Sequence, residues 1–439
     1  MSSNGPWTGE GKAEDDGAAS SRRPAPRLSG TLSSLASSTS SATSSEDWLF
    51  VQLADTQLGL YNQNPDTSCS DWAAEAALSR RAVAALNAMR PRPVFAIVCG
   101  DLTNAMPNGP TAQPDVCERQ RRDFADIFAE VHEAIAVVCV CGNHDVGDRP
   151  SAASVAGYRR WFGRDYGAFS VRNTRCIVLN SSLFQAREEP QWRPGYNPKD
   201  RPDDPAYVAA LAAEQAEALA LADEQDEWLA AELRGLREGG EGKEGQGGGG
   251  ATHAIAFAHI PPFIYAPDEP KGYFNFDPHV RTPLLEALKG AGVTKMFCGH
   301  FHRNAGGHDG PLEVVVTTAV GCMLPFTEAA KGGSSRARET AIGLKGFDWP
   351  GRRCDAAVSG LRVVAVSGAA VEHRFFTMEA FEEAVRTPGA VEAATRGGGG
   401  NEGGEGGEMG EMGELVELVA GDGNGGKVGV VVGEQAAVP

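Results

Sequence analysis

The sequence predicts an α/β fold, and three observations predict it. Short apolar runs rich in Val, Ile, Phe and Cys alternate with amphipathic stretches of helical spacing between Trp48 and Cys141. Strand, helix, strand, helix, strand in that order is the pattern of a mainly parallel sheet joined by crossover helices. Several of the apolar runs also break abruptly into polar, metal-capable side chains, and open α/β sheets bind their ligands at the carboxyl ends of their strands.

The run Trp48-Leu49-Phe50-Val51-Gln52-Leu53 predicts the first strand, leading into Ala54-Asp55-Thr56-Gln57. Residues 73–89 carry Ala77, Leu78, Val83 and Leu86 at helical spacing and stop before Pro91. Val94 to Cys99 predicts a second strand ending at Gly100-Asp101, and Cys117 to Ile135 a second amphipathic helix. Val137 to Cys141 is a third strand, broken by Gly142 into Asn143-His144-Asp145. A helix over 151–162, short strands at 169–171 and 176–180, a Pro- and charge-rich surface loop over 185–206 and an Ala/Leu/Glu-rich helix over 207–236 follow. Ala254 to Ala258 is a strand into His259-Ile260-Pro261-Pro262, and Val293 to Cys298 one into Gly299-His300-Phe301-His302. Leu312–Val320, Leu361–Val366 and Val371–Phe376 complete the sheets with no crossover helix between them.

The flanks are of another kind. Residues 1–46 are rich in Ser, Ala and Gly and hold too few large apolar groups to fold. From Gly397 onward eight acids face one lysine, Lys427. The expected organisation is therefore a Ser-rich tail over 1–46, one domain over 47–386 with a flexible glycine-rich insertion at 238–250, and a Gly/Glu-rich tail over 387–439. Gly17 to Ser45 has three arginines and no acid, as an organellar transit peptide does, but Glu10, Glu14, Asp15 and Asp16 count against that reading. The expected location is cytoplasmic.

Composition excludes several function classes. A net charge of −18 gives no basic face for nucleic acid. No apolar run reaches the roughly 18 residues of a membrane span. The nine cysteines form no Cys-x-x-Cys pair, and the simplest reading is buried reduced thiols. The glycine runs lack the Lys-Ser/Thr of a phosphate loop and read as linkers. Oligomeric state is not written in the sequence.

Five strand-end segments offer ligands: Asp55 with Gln57, Asp101, Asn143 with His144 and Asp145, His259, and His300 with His302. Carboxylates, amide oxygens and imidazoles form a hard-to-borderline set suited to Mn²⁺, Fe or Zn²⁺. Histidine is scarce, nine in all, and three of the nine follow directly on two strands. Packing alone gives no reason for that placement.

Taken in order, Asp55-x-Gln57, Gly100-Asp101, Gly142-Asn143-His144-Asp145, His259 and Gly299-His300-x-His302 resemble the motif series of the calcineurin-like metallophosphoesterases. Cys99-Gly100-Asp101-Leu102 with Ala105-Met106-Pro107, Gly299 to Gly307, and Gly360-Leu361-Arg362-Val363-Val364 resemble, more narrowly, the calcineurin-like phosphoesterase domain-containing protein 1 family. The resemblance covers roughly residues 47–386. It implies a sandwich of two mixed β-sheets flanked by helices, with two divalent cations where the strands end. Carried over by position, Asp55, Gln57, Asp101 and His302 hold the first metal, and Asp101, Asn143, His259 and His300 the second, with Asp101 bridging. Paired cations about 3.5–4 Å apart lower the pKa of a bound water and orient the hydroxide toward phosphorus. His144 is then placed as proton donor to the leaving oxygen, with Asp145 fixing its tautomer.

Gln57 departs from the wider superfamily, where a histidine is usual, and it tunes the first metal as a weaker ligand. Arg303 admits two readings, a clamp on a phosphate oxygen or a surface salt bridge. The activity implied is hydrolysis of phosphate monoesters, with phosphoserine or phosphothreonine on proteins as substrate. Phosphodiester hydrolysis on a nucleotide or lipid headgroup is an alternative. A catalytically silent scaffold is another, although such scaffolds lose groups like His144 or Asp101 that this chain keeps.

Overall fold

The computed structural model describes residues 47–62, 71–109, 111–188, 203–240, 253–331, 334–368 and 370–397. The expected tail 1–46, the C-terminal tail beyond 397, the insertion from 241 to 250 and most of the loop 185–206 lie outside the described residues.

In chain order the fold runs β1 (Trp48–Leu53), α1 (Ala73–Ala88), β2 (Phe95–Cys99), α2 (Pro114–Phe128), β3 (Ala136–Val140), α3 (Asn143–Val146) and α4 (Ala152–Phe162). It continues β4 (Gly167–Val171), β5 (Thr174–Val178), α5 (Ser181–Gln185), α6 (Pro205–Gly240), β6 (His253–Phe257), α7 (Pro278–Gly290) and β7 (Val293–Cys298). The remainder is β8 (Ala305–Asp309), β9 (Leu312–Val316), α8 (Ser335–Ala341), β10 (Gly360–Val366), β11 (Val371–Thr377), α9 (Met378–Ala384) and α10 (Ala390–Gly397).

Two mixed sheets form, as expected. One has the order β11-β10-β1-β2-β3, the other β4-β5-β6-β7-β9-β8. β1, β2 and β3 pair in parallel, while β10 runs antiparallel to β1. In the second sheet β5, β6, β7 and β9 are parallel, and β4 and β8 close its edges antiparallel. Aromatic side chains fill the space between the sheets. The ring of Phe50 stacks on Phe95 at 4.7 Å and meets Phe257 and Phe297 edge-on at 5.7 and 5.8 Å. Every residue of β1 is buried, which is why its sequence is an apolar run and not an alternation.

The structure moves several expected boundaries. α2 begins at Pro114, a residue suited to the first helical turn, and ends at Phe128, where Glu130 and Val131 make three-residue turns back to Ile127 and Phe128. α7 was not expected, because Pro278 and Pro283 mask it; Asp277 caps its start. β8 reads Ala-Gly-Gly-His-Asp, a poor strand former, and exists because it pairs with β9 across the turn at Gly310.

The expected domain end at 386 falls short. α10 lies beyond it and packs on β10 and β11, with Val391 only 1% exposed and Arg396 3.2 Å from the Asp47 carboxylate. A chain cut to 47–386 should therefore lose roughly 2 kcal/mol or more relative to one cut to 47–397, the scale of exposing one buried valine and its neighbours. Denaturant midpoints of the two measure this, and equal midpoints would show that α10 adds nothing.

Candidate metal centre

The carboxyl ends of β1, β2 and β3 in one sheet and of β6 and β7 in the other meet at one end of the sandwich. Backbone bonds knit these ends together: Asp55 N–H donates to Gly100 O at 3.0 Å, Gln57 N–H to Asp101 O at 2.8 Å, and Gly299 N–H to His259 O at 3.0 Å. The loops are bent into backbone that side chains resist. Asp55, Gln57, Asp101, His300 and His302 have φ of 49°, 32°, 47°, 67° and 56°, and among the described residues Arg172 is the one other non-glycine at positive φ. Each such residue costs on the order of 1–3 kcal/mol, so five in one cluster mark a place where geometry is held for chemistry.

The side chains converge. A ligand atom from each of Asp101, His259 and His300 lies within 4.8 Å of the others. His259 Nε2 is 3.2 Å from Asp101 Oδ2, and His300 Nδ1 is 3.1 Å from His259 Nε2. Asp55 joins this group to His302, with its Oδ1 3.3 Å from His302 Nε2 and 3.9 Å from His259 Nδ1. The His300 N–H donates to both Asp55 oxygens, at 3.2 and 3.0 Å. Tyr273 stacks on the His300 ring at 5.3 Å and holds it from the outer side.

Three buried polar atoms in this cluster have no protein partner: Gln57 Oε1, Asn143 Oδ1 and His300 Nε2. Their neighbours fix the two amides in that orientation. Asn143 Nδ2 donates to Asp148 Oδ1 at 3.0 Å, which turns Asn143 Oδ1 away. Asn104 Nδ2 faces Gly59 O, so Asn104 Oδ1 accepts from Gln57 Nε2 at 3.2 Å and leaves Gln57 Oε1 free. A buried polar atom without a partner costs about 1–3 kcal/mol. Unshared oxygens beside two carboxylates and three imidazoles fit hard-to-borderline divalent cations.

Electrostatics and sterics agree with that fit. Burial raises the Asp101 carboxyl, but the imidazoles of His259, His144 and His300 outweigh it and hold the group below the usual carboxylate range. Burial lowers His259, and the Asp101 carboxylate overcomes this and lifts it to about 9. A cation held by these two side chains would compete with that proton, so its uptake would release it. Burial and the neighbouring His259 push His300 well below its ordinary value. The motif glycines make room. A Cβ on Gly142 would stand 2.1 Å from Asp101 Oδ1, and one on Gly299 2.5 Å from Asp55 Oδ2.

Two expectations change here. Asp145 does not hold the His144 ring. Its carboxylate accepts from the backbone N–H of Leu102, Thr103 and Gly142 and stitches the β2 and β3 loops together. Burial and the Asp101 charge raise it to about 7. His144 Nδ1 instead meets the backbone carbonyl of Asn104 at 2.5 Å. Arg303 forms no salt bridge among the described residues; its guanidinium stacks over Phe326 at 4.1 Å and donates to Leu324 O.

The orienting groups were not foreseen. Backbone carbonyls of Cys99 and Cys322 meet Nδ1 of His259 and His302, at 2.9 and 2.5 Å, turning each Nε2 inward. Gln120 Oε1 accepts from the backbone of Asn104 and Ala105. An uncharged amide oxygen is a weaker donor than imidazole, so Gln57→His should slow metal loss to a chelator several-fold and favour nitrogen-loving ions. Metal retained per chain over time is the readout. Equal loss from both proteins would remove Gln57 from the ligand set.

No protein-family model matches the chain. Among curated proteins it is similar to the serine/threonine-protein phosphatase CPPED1 of Mus musculus, 33% identical over 335 residues that cover 75% of this chain and 84% of that one. The Danio rerio protein of the same name is 34% identical over 280 residues, covering 63% of this chain and 76% of that one. Among solved structures, a dimetal phosphatase from Danio rerio is similar at 14% identity and a TM-score of 0.38, over 75% of this chain and 99% of that chain. With a third of the aligned residues identical along most of those relatives' length, the chain belongs to the CPPED1 serine/threonine-protein phosphatase family of calcineurin-like phosphoesterases, and is a phosphoric ester hydrolase.

Proposed function

We propose that this chain is a two-metal phosphomonoesterase acting on phosphoserine and phosphothreonine in proteins. The observation that carries the metal assignment is the pair of unshared buried oxygens, Gln57 Oε1 and Asn143 Oδ1, in a cluster with Asp55, Asp101, His259, His300 and His302. Those seven residues are the ligands of the reading, and Asp101 is the one shared between the sites. Two divalent cations, when bound, acidify a water and offset the charge of the phosphoryl oxygens. Mn²⁺, Fe and Zn²⁺ all suit the donor set.

The chain's own residues do the rest. With Nδ1 committed to Asn104 O, His144 exchanges its proton at Nε2 and delivers it to the leaving oxygen. The backbone N–H of His144 donates to Asp101 Oδ1 at 2.9 Å, which ties the acid to the shared carboxylate. Asp145 ties together the two loops that carry them, so it is a positioning residue. The protein substrate is supported by the activity that names the relatives, and the length of chain shared with them is the reason to extend it here.

Turnover on phosphopeptides, an aryl phosphate and a bis-aryl phosphate, with metal analysis of the purified protein, tests the reading. About two metals per chain and a preference for the phosphopeptide are expected. Preference for the bis-aryl ester would make the chain a diesterase, and no turnover of any ester with metal bound would make it a scaffold.

A further inference from the structure

Arg303 is a half-buried cation with no task in the chemistry above. No acidic side chain among the described residues bears on it. Its Nη1 donates to Leu324 O at 3.3 Å and lies 3.5 Å from Met323 Sδ, while the plane of the group stacks 4.1 Å over Phe326. A guanidinium carries five N–H donors, and a carboxylate matches two of them side by side. The Tyr265 hydroxyl is its one titratable neighbour among the described residues, so a partly buried cation is left for a partner beyond them to neutralise.

Its position relative to the metal centre follows from the segment 322–324. Met323 exchanges both backbone bonds with Arg353, at 2.7 and 2.9 Å, so the carbonyls of Cys322 and Leu324 face the opposite edge. Cys322 O receives His302 Nδ1, and Leu324 O receives Arg303 Nη1. Carbonyls two residues apart on extended chain stand about 7 Å apart on one side. Arg303 therefore sits one pleat away from the ring of His302, fixed by its stack on Phe326.

We propose that Arg303 is a specificity-determining residue that receives a carboxylate of the substrate close to the phosphate being removed. The inference rests on the phosphopeptide reading and narrows it. In an extended peptide, side chains two residues apart share a face and stand about 7 Å apart, so an Asp or Glu two positions from the phosphorylated residue is its nearest neighbour on the same face and the one to test. The net charge of −18 disfavours acidic peptides at long range, but that repulsion is screened beyond about 8 Å at physiological salt. Selection of such a peptide then depends on a local cation. The stack and the Leu324 carbonyl hold the guanidinium in place, so little side-chain freedom is lost on binding.

The test compares kcat/KM on matched phosphopeptides bearing Asp or Asn two positions before or after the phosphorylated residue. Wild-type full chain should favour the Asp peptide at one of those positions by about 10-fold or more, the size of one charge-assisted contact. Arg303→Met keeps stem and volume without charge and should bring the Asp/Asn ratio close to one, while Arg303→Lys retains part of it. Taking the ratio within each variant cancels any general loss. The wild-type preference should also shrink as salt rises, which needs no variant to fold. A ratio of one in wild type at both positions, or an unchanged ratio in Arg303→Met, would overturn the proposal. If no peptide is turned over, phenyl phosphate and 4-carboxyphenyl phosphate replace them. An Arg303-dependent preference for the carboxylated ester then keeps the subsite and sinks only the protein-substrate reading, and its absence sinks both.

Discussion

Replacing Asp101 with asparagine is expected to abolish turnover and strip metal from both sites. The residue is 1% exposed, with Oδ1 accepting the His144 backbone N–H at 2.9 Å and Oδ2 3.2 Å from His259 Nε2. Both oxygens are acceptors in that arrangement, and asparagine can supply only one. Whichever way the amide turns, it aims N–H groups at another donor or at the place where a cation would sit. The shape is kept, so the loss is one of charge and acceptor count. Activity should fall by more than the roughly 10–100-fold that follows loss of an outer orienting group. Metal content per chain and turnover on an aryl phosphate are the measurements. Two metals and most of the turnover retained in Asp101→Asn would end the two-metal reading.

Asp101 also shows why the convergence of the proposed ligands was legible in the chain. Each candidate ligand follows an apolar run that could only be a buried strand, and parallel strands deliver their carboxyl ends to one edge. Scarce histidines placed just past two such runs had no packing reason to be there. The bent backbone at Asp55, Gln57, Asp101, His300 and His302 confirms how tightly those ends are drawn together, yet no residue type announces a positive φ except glycine.

What was illegible had physical causes. Asp145 follows His144 directly, and adjacency suggested contact. The two residues lie on the helical turn Asn143–Val146, where side chains at i and i+1 point to different faces. The groups that orient the imidazoles are mostly backbone carbonyls, of Cys99, Asn104 and Cys322, and a carbonyl leaves no mark in a sequence. Asn104 and Asp148 act through amide hydrogen bonds that depend on how loops from different strands meet. α10 was missed for a compositional reason. Its small alanines and single large apolar residue, Val391, give too weak a pattern beside a glycine-rich tail.

Replacing His144 with alanine should separate catalysis from metal binding. Among the described residues the ring makes no hydrogen bond to a proposed ligand side chain; its Nδ1 faces Asn104 O, and the hydrogen bond to Asp101 comes from the backbone N–H that alanine keeps. Metal content should therefore match wild type. Turnover of a serine phosphate should fall roughly 10²–10⁴-fold, the usual size of a positioned acid's contribution. The cause is specific to the leaving group. A serine alkoxide is strongly basic and needs a proton as the P–O bond breaks, whereas an activated aryl oxide leaves with little help. The loss on an activated aryl phosphate should thus be much smaller, and the ratio of the two losses measures protonation directly. An equal loss on both esters with full metal content would show that His144 orients the phosphoryl group and does not supply the proton. Loss of metal in the variant would show instead that the ring supports the ligand shell through Asn104, whose backbone carbonyl faces the ring and whose side-chain Oδ1 orients Gln57.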